Sequence, residues 1–73
     1  MDSGEDIRVR FGKRIRELRL ARGLSQEAFA FEADLDRTYI SGIERGLRNV
    51  SLQNIEVLAR TLSVSLSELF VGV

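Results

Sequence analysis

The chain has 73 residues, with eleven Lys and Arg balanced by eleven Asp and Glu, so its formal net charge is zero. It contains no Cys and no His, which removes disulfides, thiolate or imidazole metal sites, thiol nucleophiles and any histidine base. A hydrophobic content of 44% beside 30% charged residues is the balance of one small folded domain, not of a disordered chain.

Residues 1–5 read as a loose tail, acidic and polar, the reverse of a secretory signal. A first helix is predicted from about Asp6 to Ala21, because Phe11, Ile15, Leu18 and Arg22 recur on one helical stripe. Gly12 inside it costs about 1 kcal/mol against Ala, which points to close packing. Gly23 is a C-terminal stop. Ser25 is an N-cap for a short second helix ending near Ala33, with Leu24 and Phe29 at the staple positions. Asp34 can take the left-handed turn conformation. Asp36 caps a third helix, Arg37 to about Arg45, closed by Gly46. After a loop, Ser51 opens a fourth helix with Leu52, Ile55, Leu58, Ala59 and Leu62 on one face. Ser65 and Glu68 then form a capping-box pattern for a last short helix bearing Leu66, Leu69 and Phe70. The prediction is an all-α domain of five short helices over residues 6–73. No apolar run approaches the ~18 residues of a membrane helix, so a cytoplasmic protein is expected.

The second and third helices, joined by a tight turn, fit a helix-turn-helix unit. At ~100° per residue, Ile40 and Ile43 set the inward direction of the third helix. Thr38, Gly42 and Arg45 lie opposite, Ser41 flanks them, and Arg37 and Tyr39 stand in the first turn. This face has short polar groups, Arg and Tyr but no acid, which suits hydrogen bonding to base edges in a major groove. Gln26, beside the cap Ser25, stands at a helix N-terminus where free N–H groups favour phosphate. Arg48 and Asn49 follow the third helix and are usual phosphate donors. Singly, Arg37, Thr38, Ser41, Arg45 and Arg48 are each an ordinary solvated residue; the turn spacing is what gathers them. Tyr39 has a second reading, as a half-buried cover of the core edge.

From Phe11 to Phe70 the sequence resembles the lambda-repressor/Cro-like helix-turn-helix domains. The stretches Gly12 to Arg19, Gly23 to Ala30, Ile40 to Gly46 and Leu62 to Phe70 carry the resemblance. Leu35 to Arg45 followed by Arg48 and Asn49 is similar to the controller proteins of restriction-modification systems. That resemblance implies a small dimeric regulator that binds operator DNA, activating at low occupancy and repressing at high occupancy. It implies that Arg37, Thr38 and Tyr39 read or position against DNA and that Arg48 and Asn49 hold the backbone. It also implies a structural pair, Arg19 with Glu44, expected to be partly exposed and worth under ~1 kcal/mol. The family's turn often carries Gly where this chain has Asp34. Phe31 and Leu47 stand where polar residues are usual.

A single third helix reads only a few base pairs, whereas a dimer reads two half-sites ~34 Å apart. Val57 with Phe70, Val71 and Val73 is the expected dimer surface, unless Phe70 simply closes the core. Two dimers on one DNA and a contact with RNA polymerase, through Glu27 or Glu32, are the further partners considered. The alternatives are a phage-type repressor or an antitoxin-like protein-interaction module, motivated by Phe31 and Leu47. An enzyme is not expected, since no convergent carboxylate pair accompanies the missing His and Cys. No cofactor or metal is expected. The zero charge is unevenly spread: residues 7–22 hold seven basic residues and one acid, and residues 37–50 three and one. A positive DNA face on a neutral molecule is therefore expected.

Overall fold

A computed structural model describes residues 4–73. It contains α1 (Ile7–Ala21), α2 (Gln26–Ala33), α3 (Arg37–Glu44), α4 (Leu52–Thr61) and α5 (Leu66–Leu69). Residues 1–3 of the expected tail lie outside the described residues. Glu5 forms an ion pair with Lys13 on α1, at 2.8 Å.

Every helix begins on an oxygen-bearing cap. The side chains of Asp6, Ser25, Asp36, Ser51 and Ser65 each accept a backbone N–H from the first turn that follows. At α5 the box is reciprocal, since the Glu68 carboxylate also accepts the Ser65 backbone N–H at 3.2 Å. These caps let helices of eight residues or fewer hold their ends, where propensity alone is insufficient.

One core joins all five helices. Phe11 and Ile15 of α1, Phe29 and Ala30 of α2, Ile40 and Ile43 of α3, Leu58 and Ala59 of α4, then Leu62 and Leu69, are buried together. The predicted stripe of α1 is rotated. The buried residues are Phe11, Gly12, Ile15 and Arg19, while Leu18 is half-buried and Arg22 exposed. The cause is that α1 turns Gly12 against α3, where an added Cβ would overlap the Ile43 carbonyl oxygen and lie 2.9 Å from that of Glu44. Leu52 was also expected on the inner face of its helix, but it is exposed, as the first residue of α4.

The basic excess of α1 has a structural use. The Arg22 guanidinium donates to the Thr61 carbonyl at 2.5 Å. Arg14 donates to the carbonyls of Glu68 and Leu69 at 2.6 and 3.3 Å, and Arg10 to that of Val73. The Thr61, Glu68 and Leu69 carbonyls stand at the ends of α4 and α5, where the helix dipole also favours a cation. Arg8 pairs with Asp6, Lys13 with Glu5 and Arg19 with Glu44. The expectation that this excess supplies the positive DNA face is revised: six of the seven basic side chains are tied to other parts of the chain.

Candidate nucleic-acid interface

The turn between α2 and α3 is fixed by backbone chemistry. Asp34 sits in the left-handed region at φ 57°, ψ 42°. That conformation lets the Leu35 N–H reach back to the Ala30 carbonyl at 2.9 Å, so α2 ends in a closed turn. Asp34 does the work usually given to Gly, at the cost of a less favoured conformation. Asp36 then starts α3 by accepting the Thr38 N–H at 2.7 Å.

The orientation of α3 against α1 rests on a buried ion pair. Arg19 Nε meets Glu44 Oε2 at 2.7 Å and Arg19 Nη2 meets Glu44 Oε1 at 2.9 Å. The two side chains are only 7% and 3% exposed, so the pair is buried, not partly exposed as the sequence suggested. The Glu44 hydrogen bonds raise the Arg19 guanidinium further above its ordinary range, against the opposing effect of burial. Arg19 also donates to the Leu24 carbonyl at 2.7 Å, which anchors the start of α2. Gln26 joins the same network, its Nε2 donating to Glu44 Oε1 at 3.1 Å. The first residues of α2 and the end of α3 are therefore held by one carboxylate.

Gln26, Arg37, Thr38 and Ser41 line a surface notch of about 310 Å³ between the start of α2 and α3. Four of the residues singled out in the sequence are thus brought to one place. Arg37 and Thr38 are exposed and Ser41 is half-buried. Ser25 is exposed beside them; its oxygen accepts the Ala28 N–H at 3.0 Å, and its hydroxyl proton remains to donate. Arg45 is exposed at the end of α3 and Asn49 on the following loop.

Gly42 was expected on the outer face and is buried instead. An added Cβ there would lie 3.0 Å from Arg48 Cγ and Nε, because the Arg48 side chain folds back over α3. The same guanidinium lies 5.4 Å from the centroid of the Tyr39 ring, within cation–π range. Tyr39 is half-buried and packs on the core, which is its second reading, a cover of the core edge. Its hydroxyl oxygen accepts a hydrogen bond from Asn54 Nδ2 on α4, at 3.1 Å. Asn54 was not singled out in the sequence; a polar residue in the first turn of a helix carries no signal that it reaches another element.

The apolar candidates are Phe70, Val71, Val57 and Val73. Phe70 is 39% exposed, with its ring stacked on Phe11 at 5.5 Å between centroids. It covers the core and still shows a face. Val71 is exposed and Val57 half-buried. Val73 is half-buried against the core, with its carbonyl accepting from Arg10.

Two short helices in this arrangement, with a polar notch at their junction, define a helix-turn-helix domain. A helix-turn-helix family model matches residues 15–69. The chain is similar to the control protein C.MunI of Mycoplasma sp, at 54% identity over 66 residues and 89% of each chain. It is similar in structure to the restriction-modification controller protein C.AhdI from Aeromonas hydrophila, with a TM-score of 0.85 and 58% identity over 88% of this chain and 97% of that one. The controller protein C.Esp1396I, solved as a tetramer with its natural 35-base-pair operator, gives a TM-score of 0.85 at 37% identity, over 93% of this chain and 90% of that one. The chain belongs to the lambda-repressor/Cro-like helix-turn-helix family, whose members are transcription regulators, not enzymes. Among the described residues, no helix is long and apolar enough to cross a membrane.

Proposed function

We propose that this protein is a restriction-modification controller: a cytoplasmic, dimeric, sequence-specific regulator that binds a two-fold operator and both activates and represses transcription. The observation that carries the reading is the notch where Gln26 of α2 meets Arg37, Thr38 and Ser41 of α3. It offers backbone and base-edge donors on adjoining elements, as a helix seated in a major groove requires. Arg37, Thr38, Tyr39, Ser41 and Arg45 read bases. Ser25, Gln26, Arg48 and Asn49 hold phosphates. Residues 6–73 form a single DNA-binding domain. Val57, Phe70 and Val71 form the dimer surface and supply burial that a chain of this size lacks. By analogy with the C.Esp1396I tetramer, two dimers share a longer operator. Activation runs through a contact with RNA polymerase, for which Glu27 and Glu32 on α2 are exposed.

Fluorescence anisotropy against DNA from upstream of the coding sequence tests this reading. Arg48 gives each protomer one cation placed on a phosphate. A dimer then neutralises about two phosphates, and log K should fall with log salt at a slope of about −2. No retention of any upstream duplex at low salt would remove the reading. A second reading, a protein-binding module, has its own support in Phe31, 87% exposed on α2. Co-purification of a stoichiometric second polypeptide would favour it, and a clean homodimer would count against it.

A further inference from the structure

Tyr39 is the only tyrosine in the chain, and its hydroxyl is held by one hydrogen bond from another helix. A phenol has one proton to give and lone pairs to receive. Here the oxygen receives, from Asn54 Nδ2 at 3.1 Å. An amide NH2 cannot take the phenolic proton, and among the described residues no other group accepts it. The ring itself is fixed by the core on one side and by the Arg48 guanidinium, 5.4 Å from its centroid. Asn54 is fixed in turn, half-buried in the first turn of α4 with its backbone N–H on Ser51 Oγ at 3.1 Å.

We propose that Asn54 is a positioning residue for Tyr39: by donating to the tyrosine oxygen, it commits the phenolic proton to a hydrogen-bond acceptor on the nucleic acid. The inference rests on the DNA-binding reading above. The acceptor is a phosphate oxygen or an acceptor atom on a base edge, both of which take a proton and give none. A purely structural bond between α3 and α4 is the competing account. It differs in one respect: it does not matter to a structural bond which partner supplies the proton.

Asn54→Asp separates the two. A carboxylate can only accept, so it keeps the α3–α4 bond but takes the proton from Tyr39. The added charge also repels DNA, and this is removed by repeating the change in a Tyr39→Phe background. The four proteins are titrated with an operator selected from a random duplex pool and with unselected duplex. Asn54→Asp should cost about tenfold more affinity where Tyr39 is present than in the Tyr39→Phe background, the scale of one hydrogen bond to a charged or strong acceptor. Equal costs in both backgrounds would overturn the inference. A loss shared by selected and unselected duplex identifies the acceptor as phosphate; a loss confined to selected duplex identifies a base edge.

A second readout needs no DNA. The chain has one Tyr and no Trp, so the Raman Fermi doublet of tyrosine reports Tyr39 alone. The free protein should show the ratio of a phenol that accepts from Asn54 and donates to water, and Asn54→Asp should move it to that of a phenol that only donates. A ratio of a purely donating phenol in the unmodified protein would overturn the inference whatever the binding data show. If the unmodified protein binds no duplex at all, the DNA reading fails and this inference fails with it. If it binds and the Asn54 changes leave affinity unaltered, only the inference fails.

Discussion

Replacing Arg19 by Met removes the cation from the Arg19–Glu44 pair while keeping most of the side chain's length. The Glu44 carboxylate is then left 3% exposed, with Gln26 as its remaining side-chain partner. Breaking a buried pair in this way costs about 3–5 kcal/mol, whereas an exposed pair is worth about 0.2–1 kcal/mol. A domain of 73 residues has a total stability of roughly 4–11 kcal/mol. The single change should therefore remove about a quarter or more of the stability. The double variant Arg19→Met with Glu44→Met takes away both charges together. It should recover only part of the loss, because the Leu24 carbonyl also loses its Arg19 donor, at roughly 1–3 kcal/mol. Urea unfolding followed by circular dichroism measures all of these at one fixed protomer concentration, since dimerisation adds to apparent stability. A loss below ~1 kcal/mol for the single variant would refute the burial argument. A double variant no more stable than the single one would refute the claim that the uncompensated carboxylate causes the loss.

Gly12→Ala sets two effects against each other. Helix propensity favours Ala by about 1 kcal/mol, while overlap with the carbonyls of Ile43 and Glu44 disfavours it by about 3 kcal/mol. Melting should drop by roughly 8–16 °C, and an unchanged or higher Tm would show that the overlap relaxes freely. Arg37→Ala should weaken binding to the selected operator by about 1–3 kcal/mol and relax sequence preference, whereas Arg48→Ala should weaken all duplexes similarly. Equal profiles for the two on selected and random DNA would undo the assignment. Asp6 is held at about 2, below its ordinary 3.8, by the Arg8 side chain first and the Arg8 backbone N–H second. A depressed carboxylate stabilises above its unfolded value and loses that contribution as pH falls through the folded one. The first turn of α1 should therefore loosen between about pH 4 and pH 2, visible in the Arg8 amide shift by NMR, and Asp6→Asn should abolish that step.

The helix starts were legible because Ser25, Asp36, Ser51 and Ser65 are oxygen caps followed by apolar periodicity, a local rule that the fold respects. The notch residues were legible for the same reason, since a tight turn dictates which side of α3 faces out. The register of α1 was not, because its inner stripe contains a glycine and an arginine, and hydrophobic periodicity sees neither. Resemblance to the family supplied the Arg19–Glu44 pair but not its burial, which depends on how closely Gly12 lets α1 approach α3. Gly42 looked exposed because helical geometry places it there; only the return of the Arg48 side chain covers it. Asn54 escaped notice because its partner is 15 residues away on another helix.

The arginine contacts from α1 to the far end of the chain bear on how the molecule assembles. Arg14 reaches Leu69 across 55 residues and Arg10 reaches Val73 across 63. Closing loops of this length costs about 3–4 kcal/mol of chain entropy before any contact is made. The turn between α2 and α3, by contrast, closes over a few residues. The central pair should therefore form early and the union of the two ends late. Substitutions at Arg10 and Arg14 should then speed unfolding and leave the folding rate nearly unchanged, with φ-values near zero. Values near one would mean that the ends meet first.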